Sequence, residues 1–350
     1  MTFSKVYRVV GLMSGTSLDG IDLVYVEFRK EESWNYKLLQ TTTIPYTQQW
    51  HEELSSLHLK PLEYIRNIES IYSKLLAHHI NKFINENRLT PNLISSHGHT
   101  IWHQPENRIT LQIGDGHILQ AMTKTPIVCD FRSLDVSLGG QGAPLVPIGD
   151  QLLFGEYSYC LNLGGFSNLS FSKDGKRRAF DICPANMALN HYAKKEGQAF
   201  DEKGQMARSG RLIPTLLDKL NALDYYQLKL PKSLGKEWFE AVFLPVVKAY
   251  ERPSKDVLRT LSEHIAIQIG NICVGGTTLV TGGGVHNSFL MQLIQSNSDS
   301  HFEIPKAKLV DYKEALIFGL LGVLNLRGEV NCLASVTGAS RDSVGGVHFY

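Results

Sequence analysis

Two short strand–turn–strand units with glycine-bearing tips, about 150 residues apart, most constrain what this chain can fold into. Residues 7–13 are apolar and β-branched and read as a strand. A tight polar turn follows over 14–20 (SGTSLDG), and 21–28 reads as a second strand. The pattern recurs at 159–163, Gly164-Gly165 and 169–172. Each unit runs on into α/β structure. After the first, apolar residues at three- and four-residue steps (Ile65, Ile68, Tyr72, Leu75, Phe83) predict a helix over 62–87. After the second, a strand is predicted at 179–182 and a helix at 186–195. The expected fold is α/β and duplicated: two mixed sheets flanked by helices, in two lobes that face each other across an interlobe cleft.

At 350 residues the chain is long enough for two domains. The expected N-terminal lobe covers 1–135 and the C-terminal lobe 136–350, joined by a Gly-rich linker at 137–147 (SLGGQGAPLVP). A last helix, over 313–326, is expected to pack back near the first lobe. Further strands are predicted at 92–95, 126–131 and 278–281. Further helices are predicted at 212–220, 257–273 and 288–295.

Lys plus Arg is 35 and Asp plus Glu is 34, a formal net charge of +1. That balance argues against nucleic acid or a membrane surface as partner, since both need a basic face. No stretch of about 20 apolar residues is present to span a membrane. Five cysteines without Cys-x-x-Cys spacing argue against a disulfide framework or structural zinc, and with no signal-peptide pattern the expectation is a cytoplasmic protein.

The first tip gathers Gly15, Thr16, Ser17, Leu18, Asp19 and Gly20, with Ile21 and Asp22 beyond. A turn of backbone N–H groups and hydroxyls suits a phosphate tail. Asp19 and Asp22 could hold Mg²⁺ through water. The same residues also make an ordinary turn. Gly164 and Gly165 offer the same chemistry, and two such loops are what a triphosphate gripped from two lobes needs. Gly282, Gly283 and Gly284 lie between a strand and a helix, where bare backbone admits a flat ring or ribose; Asn287 sits near a cap position. The string is neither a Walker loop nor a dinucleotide fingerprint. Asp181, at the end of a short strand and before Pro184, suits a general base, or a loop cap. His97, His99 and His103 fall in one polar loop, as hydrogen-bonding pocket residues or, less well supported, metal ligands. Arg132 could bind a carboxylate bidentately, or form a surface salt bridge. Glu314 falls in the first turn of the last helix, where it could equally compensate the helix dipole.

Taken together, the chain resembles the anhydro-N-acetylmuramic acid kinases, of the superfamily that includes actin and the sugar kinases. The matching strings are 11–22 (GLMSGTSLDGID), 96–105 (SHGHTIWHQP), 111–115 (LQIGD), 130–132 (DFR) and 138–147 (LGGQGAPLVP). They continue with 161–169 (LNLGGFSNL), 231–237 (PKSLGKE), 282–287 (GGGVHN), 314–318 (EALIF) and 335–340 (SVTGAS). The resemblance implies the actin-like, ribonuclease H-like fold and a kinase using ATP and Mg²⁺. The residues from Gly15 to Asp22 would form the first phosphate loop and Gly164-Gly165 the second, with Gly282 to Gly284 beside the adenosine. Asp181 would activate a water to open the anhydro bridge of a small amino sugar, whose O6 is phosphorylated. His99, Thr100, Arg132 and Glu314 would meet the sugar. Members of that family often form homodimers, so a homodimer is a further expectation.

The chain departs from the family pattern in three places. The family's Thr-Gly-Pro-Gly-Asn after the catalytic Asp is Ile182-Cys183-Pro184-Ala185-Asn186 here. His99 stands for a Gln, and Leu234 for a Thr. These changes keep two alternatives open: a divergent kinase for another sugar, and a nucleotide-binding module without turnover.

Overall fold

The computed structural model describes residues 6–15 and 18–350. Thr16 and Ser17 of the first tip lie outside the described residues. The chain divides into two compact units: unit 1 holds 1–153 and 312–350, and unit 2 holds 154–311.

Unit 1 is built on a sheet that starts with β1 (Val6–Ser14), β2 (Ile21–Lys30) and β3 (Trp34–Ile44) as an antiparallel meander. On the other side of β1 the chain adds β4 (Leu93–Gln104), parallel to β1, with β5 (Ile109–Ile113) and β6 (Ile127–Cys129) both pairing β4. The terminal strand Val347–Phe349 closes the edge against β6. Unit 2 is built on β7 (Tyr159–Leu163), β8 (Phe166–Lys173) and β9 (Lys176–Pro184) as a second meander, with β10 (Thr277–Thr281) parallel to β7 and β11 (His301–Glu303) parallel to β10. The two strand orders are 3-2-1-4-6 and 9-8-7-10-11. In both, the meander lies on one side and the parallel strands on the other. The duplicated mixed sheets expected from the two hairpins are therefore present.

The first sheet is covered on both faces. Val10 and Leu12 of β1 join the buried cluster with Tyr72, Leu76 and Ile80 of the helix Leu62–Glu86. The opposite face meets the helix Ala307–Arg327. A Cβ on Gly11 would collide with the carbonyl oxygen of Ala315, one on Gly322 with Ser95, and one on Gly149 with Ile317. In unit 2 the sheet residues Leu161, Leu169 and Ile182 share a core with Leu258, Leu261 and Ile265 of the helix Ser254–Gly270.

The observed division differs from the expected boundary after residue 135. The Gly-rich segment is not a free linker. Asp135 is buried and accepts from the Gly142 N–H (2.7 Å), the Thr337 hydroxyl (2.7 Å) and the Cys332 thiol (3.0 Å). The helix Val146–Leu153 then buries Asp150 in an ion pair with Lys313 (2.8 Å). These contacts keep 136–153 and the C-terminal segment in unit 1. The last helix also begins earlier than expected, so Glu314 lies about two turns inside it rather than in its first turn.

All five cysteines are free and buried. Among the described residues no helix is long and apolar enough to cross a membrane.

The Gly11 contact gives a direct test. Gly11→Ala places a methyl against the Ala315 carbonyl, and overpacking of this kind costs about 1–3 kcal/mol. Urea unfolding should show a lower midpoint with an unchanged slope.

Candidate active site

Asp181 sits in β9, and cross-strand pairing sets it opposite Asn168 of β8, which in turn pairs with Asn162 of β7. Three polar residues thus line up across the meander. The Asp181 Oδ2 accepts the Leu234 N–H at 2.9 Å, and the Tyr225 hydroxyl donates to the Asp181 carbonyl. Burial raises the Asp181 carboxyl above its ordinary range, and the single N–H bond pulls it back only in part. The Oδ1 has no hydrogen bond to a described residue. A carboxylate so placed is more basic than a surface Asp and has one oxygen available to a water.

The glycine loops of unit 2 meet one another. Gly282 adopts φ +86°, a conformation that favours glycine, and a Cβ there would strike the Asn162 side chain and the Leu163 backbone. A Cβ on Gly284 would strike Leu163. Asn186 joins the two loops, donating from Nδ2 to the Leu163 carbonyl (3.0 Å). The backbone carbonyls of Gly164 and Gly165 accept from Asn186, Ala185 and Met187 at the start of the helix Asn186–Lys195. Unlike Gly282, neither Gly164 nor Gly165 needs a left-handed conformation. Asn287 caps the helix Ser288–Ser296 through the Leu290 N–H (3.0 Å), so its role is local. Sequence reasoning placed Asn162 and Asn168 in the second tip but gave neither a role of its own. Their two-residue alternation on either side of the glycine pair is the signal that could have found them.

The altered segment after Asp181 contains no positive φ. Ala185 has φ −119°, and Cys183 is not among the positive-φ residues. Cys183 is buried with its Sγ 3.2 Å from the Ser167 hydroxyl.

In unit 1 the histidines occupy a strand, not a loop. Strand β4 runs through Ser95 to Thr100 because its polar side chains find partners inside the unit. Ser95 donates to the Phe318 carbonyl. Gly98, at φ +68°, sits where the β1–β4 register slips between Leu12 and Ser14. This bulge turns His97 and His99 to different surroundings. His97 packs on Phe318, and its Nε2 accepts from Arg132 Nε (3.1 Å) and Nη2 (2.9 Å). The proton must then be on Nδ1, which faces the Gly98 carbonyl at 3.0 Å. Burial first, and then the Arg132 charge, hold His97 well below the ordinary range. His99 instead bonds Ser14 (Nδ1 to Oγ, 2.8 Å), and Ser14 continues to Tyr46 (2.7 Å) and Tyr72 (2.6 Å beyond). Burial pushes its pKa down to about 4.

Arg132 is held by His97 and by the Gly142 carbonyl, so the Gly-rich segment positions it. Burial lowers its pKa to about 10, which leaves it charged at neutral pH, with Glu314 acting in the opposite direction. Glu314 is solvent-accessible yet closely surrounded. Desolvation raises its carboxyl, opposed by Lys313 and Arg132 and assisted by Asp22. Asp22 accepts from the Thr43 hydroxyl (2.6 Å), which lies 3.0 Å from the Tyr312 hydroxyl. Thr100 accepts from Gln112 Nε2 (3.3 Å). Unit 1 therefore brings together His97, Arg132, Glu314 and Asp22 by charge and contact, while His99 belongs to the adjoining tyrosine network. His103 lies further along β4, exposed, beside Thr110 (3.3 Å). Asp19 is exposed at the first tip.

The sequence family described as anhydro-N-acetylmuramic acid kinase matches residues 7–350. The chain is 35% identical over 361 residues to the anhydro-N-acetylmuramic acid kinase of Aliivibrio fischeri, covering 95% of this chain and 96% of that protein. It is 34% identical to the one from Nitrosospira multiformis, covering 96% of each. It is 36% identical to the one from Pseudomonas paraeruginosa, over 81% of this chain and 82% of that protein.

The His99 environment predicts a pH response. Its ordinary pKa of 6.5 is lowered on folding, so its contribution to stability is full above pH 6.5 and is lost as pH falls toward 4. The loss should approach roughly 3 kcal/mol at pH 4. Thermal unfolding of His99→Gln between pH 7 and 4 should show a correspondingly flatter decline than the wild type.

Proposed function

Because this chain belongs to the anhydro-N-acetylmuramic acid kinase family, we propose that it opens 1,6-anhydro-N-acetylmuramic acid hydrolytically and phosphorylates O6 at the expense of ATP. The product is N-acetylmuramic acid 6-phosphate, the reaction a step in cell-wall recycling, and the setting the cytoplasm. The observation that carries this reading is the Asp181 carboxylate, made more basic by burial and held by one backbone N–H.

Asp181 takes a proton from water through Oδ1 as the water oxygen attacks the anomeric carbon. The bond from that carbon to the bridging O6 breaks. The freed O6 attacks the γ-phosphorus, the bond to the β-phosphate oxygen breaks, and ADP leaves. The proton on Asp181 passes to solvent. Phosphoryl transfer of this kind depends mainly on positioning and charge.

The loops at Gly164-Gly165 and Gly282 to Gly284 lie against Leu163 and Asn162, which supports one nucleotide grip in unit 2. In unit 1, the loop ending at Asp22 is read separately as a phosphate loop. Mg²⁺ bound with ATP neutralises phosphate charge. Asp19 and Asp22 offer only oxygen donors, which suit a hard cation that keeps several waters and takes one or two carboxylates. Arg132 binds the sugar as a charged group, Glu314 through its carboxyl, and Thr100 and His99 as neutral groups.

Purified protein with Mg-ATP and the anhydro sugar should release ADP and a product heavier by one water and one phosphoryl group. Asp181→Asn keeps the acceptor for the Leu234 N–H and should lower kcat by about 10²–10⁴-fold without lowering Tm. In the wild type, kcat should fall as pH drops through a value above the ordinary carboxylate range, because the base is then protonated. Wild-type turnover by Asp181→Asn would remove that residue from the role.

A further inference from the structure

Unit 2 contains a pocket of about 540 Å³ that the proposed reaction does not use. Phe180 and Ile182 form part of its wall. They flank Asp181 on β9, and alternation along a strand puts them on the opposite sheet face. None of the glycines of the nucleotide loops lines it. Its volume falls in the range of small-molecule sites.

The lining has a definite chemistry. Aromatic rings come from four elements: Tyr159 of β7, Phe171 of β8, Phe180 of β9 and Tyr226 of the segment after the helix Pro214–Asn221. Beneath them is a fixed polar floor. The His264 Nε2 accepts from the Tyr226 hydroxyl (2.8 Å), and its Nδ1–H donates to the Asn221 Oδ1 (2.6 Å), which also accepts from Gln268 (2.9 Å). Burial holds His264 neutral, with a pKa near 3. At the rim, Leu228 and Leu230 are 55% and 36% exposed. Lys232 is the one cation in the lining. It donates to the Tyr225 carbonyl (3.1 Å) and stands over the Tyr225 ring, and it forms no ion pair among the described residues. Aromatic walls, bare leucines and one unpaired ammonium match a ligand with a flat apolar body and one negative group.

The pocket is also tied to the reaction. The segment from Tyr226 to Lys232 that roofs it continues to Leu234, whose N–H holds Asp181, and Tyr225 bonds the Asp181 carbonyl. We propose that this pocket is an effector site for a small ring-bearing anion, whose occupancy alters turnover by shifting the segment that fixes Asp181. The turnover part rests on the reading of Asp181 as the base; the binding part does not.

Anilinonaphthalene sulfonate, an aromatic body with one sulfonate, is a suitable probe. Titrated into the full-length protein, its fluorescence should saturate at one dye per chain. Asn271→Trp, at an exposed position on the helix side of the pocket, should weaken binding at least about tenfold with Tm unchanged, and Leu228→Glu at the rim should do the same by repulsion. Non-saturating emission, or equal affinity in both variants, would overturn the site. At saturating dye, kcat for the anhydro sugar should change in the wild type and not in Asn271→Trp; an unchanged kcat would overturn the link to Asp181. A protein that binds dye as described and phosphorylates no anhydro sugar would sink the kinase reading alone.

Discussion

Unit 1 depends on a close backbone approach between its first strand and the helix Ala307–Arg327. Gly11 lacks the Cβ that would keep β1 and the helix apart, Gly322 admits Ser95 of β4, and Gly149 admits Ile317 from the neighbouring helix. The contact is dry and short, so it is intolerant of added volume. It also explains why a segment more than 300 residues from β1 in sequence is part of the same unit. Glu314 and Lys313 reach the first sheet because the helix lies there, with Lys313 paired to Asp150. A buried ion pair of this kind contributes little net stability, but losing one partner strands the other charge. The pair therefore favours one seating of the helix over neighbouring ones.

A second constraint acts along β4. In a regular strand, residues two apart share a face, so His97 and His99 would have pointed the same way. The bulge at Gly98 separates them. His97 becomes an acceptor for Arg132, and His99 becomes the end of a chain of hydroxyls through Ser14, Tyr46 and Tyr72. Both rings are neutral for the same reason, burial, yet one orients a cation and the other packs among phenols. A Gln in place of His99 could keep a bond to Ser14, which is consistent with the family using that residue there.

The parts of this fold legible in the sequence were those written in short-range pattern. The two hairpins, the helix Leu62–Glu86 and the helix Asn186–Lys195 follow from alternation and from three-to-four spacing. The strand β3 was not seen, since its run of threonines and half-exposed positions lacks a clear apolar face. The full length of β4 was missed because its serines and histidines look like loop residues and are buried only through distant partners. Asp135 was missed for the same reason: its acceptors' donors come from Gly142, Cys332 and Thr337, almost 200 residues apart. The glycine loops were legible as loops, but only the fold separates Gly282, which needs its conformation, from Gly164 and Gly165, which do not. Sequence could name Asp181; the N–H that holds it comes from Leu234, one of the positions at which the chain departs from the family pattern.

That last point bears on how tolerant the site is. A threonine replaced by leucine loses a hydroxyl, yet the bond to Asp181 is made by the backbone and survives the change. After the aspartate, Asn186 keeps its bond to Leu163. The chemistry in unit 2 is fixed by main-chain groups and by two asparagines in register, and side chains around them can vary. Burial raises the Asp181 carboxyl above its ordinary range, and the Leu234 N–H pulls it back in part. Strand β9 therefore carries the buried Asp181 carboxylate, our proposed base, on one face and the wall of a pocket on the other, and whatever moves Phe180 or Ile182 also moves the residue between them.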